Sequence, residues 1–400
     1  MGKNILISNI GSASKKYALY SGEDCLLSAH FERWDDNRLL VQFSHKQKKE
    51  QRHVSETEYK EALAYTLRFL IEEEILSGED MISAIGLRVV APGEYFTSHR
   101  IIDKEYLKKL EEMKEIVPLH IYRTLLELKE IRQIFPNTPT VGISDSAYHK
   151  TMPEVAKRYA LSKKISSEYG IYRYGYHGLS FASVVSKFKT KPGGMPENII
   201  ICHLGSGASV AAIKNGKSAD TSMGFTPLEG VPMGSRVGSI DAGAVLYLEK
   251  VAKLSPDKLF HYLNTETGLY GLSGGVLDIR ELLYLKEKGN EGAILALDMF
   301  TYRIKQYIGA YAAILGGVDA IVFTGTAGER APKIREQVCE GLKEFGIVLD
   351  PRKNDTYTGG KDGHIQSVSS KVGIIVFQAD EMKIMASEAE LCIKHARTTS

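Results

Sequence analysis

Residues 199–241 read IIICHLGSGASVAAIKNGKSADTSMGFTPLEGVPMGSRVGSID. The first apolar run, Ile199 to Cys202, has the length of a buried strand and breaks at Gly205-Ser206-Gly207. A second, Ser209 to Ile213, follows, and Asn215-Gly216 marks a hairpin because both residues tolerate the positive φ that tight hairpins need. Beyond it, a polar segment punctuated by glycine carries Asp220, Thr221, Ser222, Glu229 and Arg236 and reads as loop. Glycines in a strand-to-strand turn let backbone N–H groups approach an anion closely. Such a turn alone signals only a turn. A long run of loop chemistry that ends in an arginine suited to clamp a phosphoryl group favours a phosphate cradle.

The rest of the chain sets the frame. Four hundred residues exceed one typical domain, and two is the natural expectation. A hydrophobic share of 43% with 25% charged residues describes a globular protein with ample core. The net charge of +2 offers no argument for nucleic acid or an anionic membrane as partner. The basic run His45 to His53 is local and reads as a solvated loop or hairpin tip. Cys25, Cys202, Cys339 and Cys392 lack metal-ligand spacing. Cys202 and Cys392 lie among apolar neighbours, as buried free thiols of a reducing compartment do. With no signal peptide and no membrane-length apolar run, a cytoplasmic enzyme is expected.

Taken in order, residues 4–9 read as a strand, Ile10 to Ser14 as a small Gly/Ser turn, and Lys16 to Tyr20 as a second strand. The same plan recurs at 199–213, which fits two domains of related design. Ser55-x-x-Glu58 has the form of a capping box, and helical periodicity follows to about Leu76. Ile82 to Val90 reads as a strand with Arg88 at its end, opening into Ala91-Pro92-Gly93. An arginine there suits an ion-paired structural role and an anion-binding role equally. Lys104 to Ile116 is a charged amphipathic helix, and another begins at Leu119-His120. Thr140 to Ile143 is a strand that runs into Asp145, which is placed to orient a metal or to cap a helix. His177 stands between glycines in Gly175-Tyr176-His177-Gly178, better placed to reach a ligand than an ordinary core histidine. Leu277 to Arg280 opens a helix-rich region, and Ile294 to Leu315 is a long helix with a core stripe at Phe300, Ile304, Ile308 and Tyr311. Asp319 to Phe323 is a buried strand that breaks into Thr324 to Glu329 before a helix from about Pro332. That strand, glycine turn and helix make a standard nucleotide position. Val372 to Phe377 is the last strand, and Asp380-Glu381 starts a terminal helix. Strands alternate with helices throughout, so the class is α/β with a cleft between two lobes.

These motifs resemble the acetate kinase family of the acetate and sugar kinase/Hsp70/actin superfamily. The resemblance covers nearly the whole chain in order: NIGSASKKY, RVVAPGE, ISDSAYHKTMP, YGYHG, HLGSGASV, GKSADTSMGFTPLEGVPMGSR, LDIREL, IVFTGTAGE and QADE. It implies a two-lobed, duplicated ribonuclease H-like fold with the active site in the interdomain cleft. Residues 1–148 with 381–400 would form one lobe and 149–380 the other. It also implies reversible, ATP-dependent phosphorylation of a short carboxylic acid, acetate first, to an acyl phosphate. Mg2+ would be the cofactor, ATP/ADP the co-substrate, and the assembly a homodimer.

By the same resemblance, Arg88 and Arg236 would be the arginine pair, Asp145 the strand-end carboxylate and His177 the loop histidine. Asn9, Ser12, Ser14 and Lys16 would form the N-terminal phosphate loop, with Asn9 on the metal side. His203 would open the hairpin whose turn is Gly205, Ser206 and Gly207. Asp278 and Arg280 would contact the nucleotide together with Gly325, Ala327 and Gly328. The metal-linked carboxylate falls on Asp380 or Glu381. Val90, Leu119, Tyr176 and Pro227 would line the acyl pocket, with His120 a further active-site histidine. The chain departs from the family pattern at Leu87, Ala91-Pro92, Ile121-Tyr122, Ser206 and Arg330, and it lacks a histidine after the serine of YGYHGLSF. These changes bear on acid identity and turnover more than on reaction class. A carboxylate substrate is already ionised near neutral pH, so Asp145 is read as positioning metal or arginine and not as a base. The alternatives are a kinase for propionate or another short acid, and a nucleotide-binding sensor of the same fold with weak chemistry.

Overall fold

The computed structural model describes residues 4–11, 14–33, 38–46, 48–76, 81–190 and 193–399. The chain forms two compact units, residues 1–147 with 380–400, and residues 148–379.

In the first unit the strands are β1 (Asn4–Ile10), β2 (Ser14–Ser21), β3 (Asp24–Arg33), β4 (Leu39–His45), β5 (Lys48–His53), β6 (Ile82–Val89), β7 (Arg100–Ile101) and β8 (Thr140–Ser144). They form one sheet in the order β5-β4-β3-β2-β1-β6-β8-β7. Strands β1 to β5 pair antiparallel in succession, whereas β6 runs parallel to β1 and β8 parallel to β6. The second unit contains β9 (Asn198–Leu204), β10 (Ala208–Lys214), β11 (Lys217–Thr221), β12 (Ala320–Thr324), β13 (Gly363–His364) and β14 (Gly373–Val376). Their order is β11-β10-β9-β12-β14-β13. β3-β2-β1-β6-β8 and β11-β10-β9-β12-β14 are therefore the same five-strand plan: two antiparallel steps, then two parallel ones. This is the duplicated ribonuclease H-like α/β architecture expected from the sequence.

Strands covered on both faces must be apolar on both, and these are. Ile199, Ile200, Ile201 and Cys202 are all fully buried, as is the whole of β12. Phe181, Val184, Val185 and Phe188 of the helix Gly178–Thr190 pack on Ile199, Ile201, Ile213 and Val322. The long helix Glu291–Leu315 packs against β9 and β10 and buries the expected stripe of Phe300, Ile304, Ile308 and Tyr311. Asn215 and Gly216 take φ of 50° and 74°, the conformation that lets two residues turn β10 into β11.

Several local expectations change. Residues 217–221 are a strand, not loop, because the Asn-Gly turn brings them into register with 211–214. The run His45 to His53 opens on a hairpin turn, where His45 pairs with Lys48, but residues 48–53 then form an edge strand, whose charged, exposed side chains discourage pairing with another chain. The Ser55–Glu58 capping box is present, but its helix ends at Lys60 and resumes as Ala62–Glu72. The helix expected from Pro332 is present as Pro332–Cys339, and a short helix, Gly325–Arg330, stands before it where a turn was expected. Cys202 is buried as expected. Cys392 is only half-buried, and Cys339 is the other buried thiol. No helix among the described residues is long and apolar enough to cross a membrane.

Phe300 is 1% exposed and Tyr302, two positions on, is 58% exposed. Phe300→Ala is expected to cost about 3–5 kcal/mol of stability, and Tyr302→Ala at most about 0.5 kcal/mol. Equal losses in denaturant unfolding of the two variants would contradict this placement of the helix.

Candidate active site

In the first unit the site is built where adjacent parallel strands end. β6 carries Arg88 in its last turn of pleat, and the residue after β8 is Asp145, whose N–H donates to the Val89 carbonyl at 3.0 Å. Arg88 Nη2 donates to Asp145 Oδ2 at 2.8 Å, with the Asp145 side chain 1% exposed. Arg88 Nη1 donates to Asn9 Oδ1 at 3.3 Å, and Asn9 Nδ2 donates to Glu381 Oε2 at 3.3 Å. Burial works against the Arg88 charge, but Asp145 and then Glu381 outweigh it and raise its pKa. Arg88 Nε is buried and meets no hydrogen-bond acceptor among the described residues. That donor suits an incoming anion. The structural, ion-paired role weighed for Arg88 is therefore present.

The strand end is braced from below. His99 Nδ1 accepts the Ser144 N–H at 3.0 Å, and burial holds this imidazole neutral, down to about 4. The Asp145 carboxylate faces Arg88. Asp380 Oδ1 accepts the Lys383 N–H at the start of the terminal helix, whereas Glu381 reaches Asn9. Among the described residues no group of three or more His, Cys, Asp or Glu forms a metal cage. Hard oxygen donors at Asn9, Glu381 and Asp145 fit a small divalent cation that keeps most of its shell as water and substrate oxygens. Lys16 is exposed and pairs with Asn9 in the β1–β2 ladder, and Ser14 begins β2. Ser12 lies outside the described residues. Val90 is buried, while Leu119 and His120 occupy the first turn of the helix Pro118–Ile134, Leu119 exposed and His120 half-buried.

In the second unit His177 has φ of 58°, an uncommon conformation for a residue with a side chain. Its carbonyl accepts the Phe181 N–H as the helix Gly178–Thr190 begins. His177 Nδ1 shares a hydrogen bond with Ser209 Oγ at 2.8 Å, and its ring stacks on His203 at 4.2 Å. His203 Nδ1 is bonded to Ser180 Oγ at 2.8 Å. Each histidine thus has its Nδ1 tied to a serine, which orients Nε2. A Cβ on Gly207 would lie 3.0 Å from His177 Nε2 and 3.8 Å from Arg236 Nη1. One on Gly205 would lie 3.7 Å from His203 Nε2 and 3.8 Å from the Thr326 amide nitrogen. Both histidines, Arg236 and the Gly325–Thr326 backbone therefore converge on the Gly205–Gly207 turn, and only glycine keeps that space open. The convergence follows from register, since His203 pairs with Ser209 on one side and Thr324 on the other. Ser206 is exposed at the tip of the turn.

Arg236 Nη1 donates to Pro227 O at 3.2 Å. Pro227 belongs to a loop braced by Arg173, whose Nη2 donates to Glu229 Oε1 at 2.8 Å. Tyr176 is 1% exposed and its OH donates to Phe225 O at 2.7 Å, so it acts as a buried prop for that loop. Asp278 caps the helix Ile279–Glu287, accepting the Arg280 N–H at 2.7 Å. The Arg280 guanidinium folds back on the same carboxylate at 2.6 Å and depresses its pKa. Gly325 opens the turn with φ of 76°, and a Cβ there would strike the Leu204 backbone. Ala327 is buried, and the Gly328 carbonyl accepts a hydrogen bond from buried Arg335, so both are packing positions.

Sequence reading missed the orienting residues. Ser180 and Ser209 fix the histidines. His149 is buried and bonds both Ser218 Oγ (2.7 Å) and Tyr176 O (3.0 Å), which anchors the Tyr176–His177 loop. A serine inside the apolar run of β10 was the available signal for Ser209.

The acetokinase family model matches residues 4–387. Over 400 aligned residues the chain is 42% identical to the acetate kinase of Caldanaerobacter subterraneus subsp. tengcongensis, covering 98% of this chain and 99% of that one. The solved acetate kinase of Porphyromonas gingivalis is 35% identical with a TM-score of 0.83, covering 98% and 100% of the two chains. A propionate kinase from Francisella tularensis subsp. tularensis SCHU S4 is 32% identical with a TM-score of 0.87, covering 97% and 99%. With the matching family model, this identity across almost the full length of both chains, and the shared fold, the chain belongs to the acetokinase family.

Proposed function

We propose that the protein transfers the γ-phosphoryl group of ATP reversibly to the carboxylate of a short-chain acid by direct in-line displacement. A carboxylate oxygen forms the new bond to phosphorus as the bond from phosphorus to the bridging oxygen of ADP breaks. The products are ADP and an acyl phosphate. The acid arrives ionised, so no proton has to be removed. The observation that carries this reading is the convergence of His177, His203 and Arg236 on the Gly205–Gly207 turn. Phosphoryl transfer between two anions needs positioning and charge neutralisation more than covalent chemistry.

In this reading the unfilled Nε donor of Arg88 is the first unit's donor to a phosphoryl oxygen, and the second unit's phosphate-binding arginine is Arg236. Asp145 keeps Arg88 charged and aimed. His177 Nε2, fixed by Ser209, offers a further hydrogen bond. Lys16 and Ser14 face the phosphates from the first unit, and Asp278, Arg280 and Gly325 border the nucleotide in the second. The acyl-side residues are Val90, Leu119 and His120 in the first unit, and Pro227 with the supporting Tyr176 in the second. Asn9 and Glu381 would hold Mg2+, with Asp145 near. When bound, it would neutralise charge on the nucleotide phosphates.

Two measurements check this. Hydroxylamine trapping of acyl phosphate from ATP, Mg2+ and acids from formate to butyrate should give strong product with acetate or propionate. Arg236→Ala should lower that rate at least about 100-fold. No product with any acid, from folded protein that still binds ATP, would favour the sensor alternative. Glu381→Gln should raise the Mg2+ concentration for half-maximal rate roughly tenfold. Asp380→Ala should leave that concentration alone and cost about 1 kcal/mol of stability through the lost cap. The reverse pattern would reassign the metal side to Asp380.

A further inference from the structure

Glu127 projects from the helix Pro118–Ile134 into the interior of the first unit, where it is 3% exposed. Ser8 Oγ donates to its Oε1 at 2.7 Å, and Tyr17 OH to its Oε2 at 3.2 Å. Ser8 and Tyr17 are directly opposite one another in the β1–β2 ladder, and the next pair along is Asn9 with Lys16. Because side chains alternate along a strand, Asn9 and Lys16 point to the other face, where Asn9 meets Arg88 and Glu381. Arg123, one turn earlier on the helix, donates to Gly11 O at 3.4 Å. The helix therefore grips the hairpin from behind at two points, and Leu119 and His120 lie in its first turn.

We infer that Glu127 is a positioning residue for phosphoryl transfer, fixing the β1–β2 hairpin so that Asn9 and Lys16 are presented to the nucleotide phosphates. The inference rests on reading that hairpin as the phosphate-side loop of the proposed kinase. The charged and titratable groups around Glu127 are few. Lys15 and Tyr17 face it from β2, and Glu130 lies along its own helix. Glu61, between the helices Glu56–Lys60 and Ala62–Glu72, acts on Glu130, and Tyr59 acts on Tyr17. Arg88 on β6 is committed to Asp145. Lys15 gives its ammonium to the Lys60 carbonyl at 2.7 Å and reaches Glu127 only through space. Burial outweighs these hydrogen bonds and Lys15, and pushes the Glu127 carboxyl up to about 7.

The sign follows. A carboxyl whose folded pKa lies above its unfolded value is favoured by the fold in its neutral form. The stability this carboxyl lends the fold is therefore greatest at acidic pH, falls as pH rises above the usual carboxylate range, and is lost above about 7, because burial outweighs the Ser8 and Tyr17 hydrogen bonds that favour the ionised form. Ionisation leaves a buried negative charge behind the hairpin with Glu130 as a like-charged neighbour.

The test compares steady-state kinetics and thermal unfolding of wild type, Glu127→Gln, Glu127→Leu and Lys16→Ala across neutral pH. Wild type should show a KM for ATP that rises severalfold as pH climbs through the Glu127 titration. Glu127→Gln, a neutral isostere, should lack that rise. Glu127→Leu should raise KM for ATP roughly tenfold and move kcat less than about twofold. If the Glu127 variants lose only thermal stability and keep the wild-type pH profile of KM, while Lys16→Ala raises KM, Glu127 is merely structural and the inference fails. If Lys16→Ala leaves KM unchanged, the reading of the hairpin as a phosphate loop fails instead. Should Glu127→Leu not fold, the pH profile of Glu127→Gln decides alone.

Discussion

The buried ion pair between Arg88 and Asp145 is the constraint on which the first unit's half of the site depends. Removing two charges from water is costly, and good geometry with further hydrogen bonds is needed to offset it. Here the 2.8 Å contact, the Asn9 amide and the nearby Glu381 supply those terms. The partners meet because β6 and β8 are parallel neighbours that end side by side. Removing one partner would strand the other charge, at about 3–5 kcal/mol. The arrangement also leaves Arg88 Nε for another acceptor, an atom the ion pair does not use.

The second unit meets the same chemical demand differently. Arg236 is steered by the Pro227 carbonyl, to which its Nη1 donates. The positive φ at His177 turns its ring toward the Gly205–Gly207 turn, and Ser209 fixes its orientation. Both units use a strand-turn-strand hairpin beside a parallel strand, β1–β2 with β6 and β9–β10 with β12. Duplication of the fold thus yields two such hairpins, each served by different supporting side chains.

Much of this was legible locally. Asn215-Gly216 announced its hairpin, Ser55–Glu58 its capping box, and the Phe300 stripe its buried helix, since each signal lies within one turn or one helical period. Arg88 stayed divided between two roles because its partner is 57 residues away, and only strand order brings Asp145 to it. Residues 217–221 looked like loop because their polarity hid a pairing imposed by the turn. Gly325–Arg330 read as loop because glycine and threonine are poor helix formers; packing against β9 and β12 overrides that preference. Glu127, Ser180 and His149 were illegible for one reason. A buried polar residue declares itself through distant partners, and its own neighbours in sequence do not name them.

The central claim is that the phosphoryl group passes directly from ATP to the acid. The most direct test is the stereochemical course at phosphorus with ATP made chiral at its γ-phosphorus by oxygen isotopes. A single in-line displacement predicts inversion of configuration in the acyl phosphate. Net retention would require an intermediate in which the protein carries the phosphoryl group, and would contradict the account.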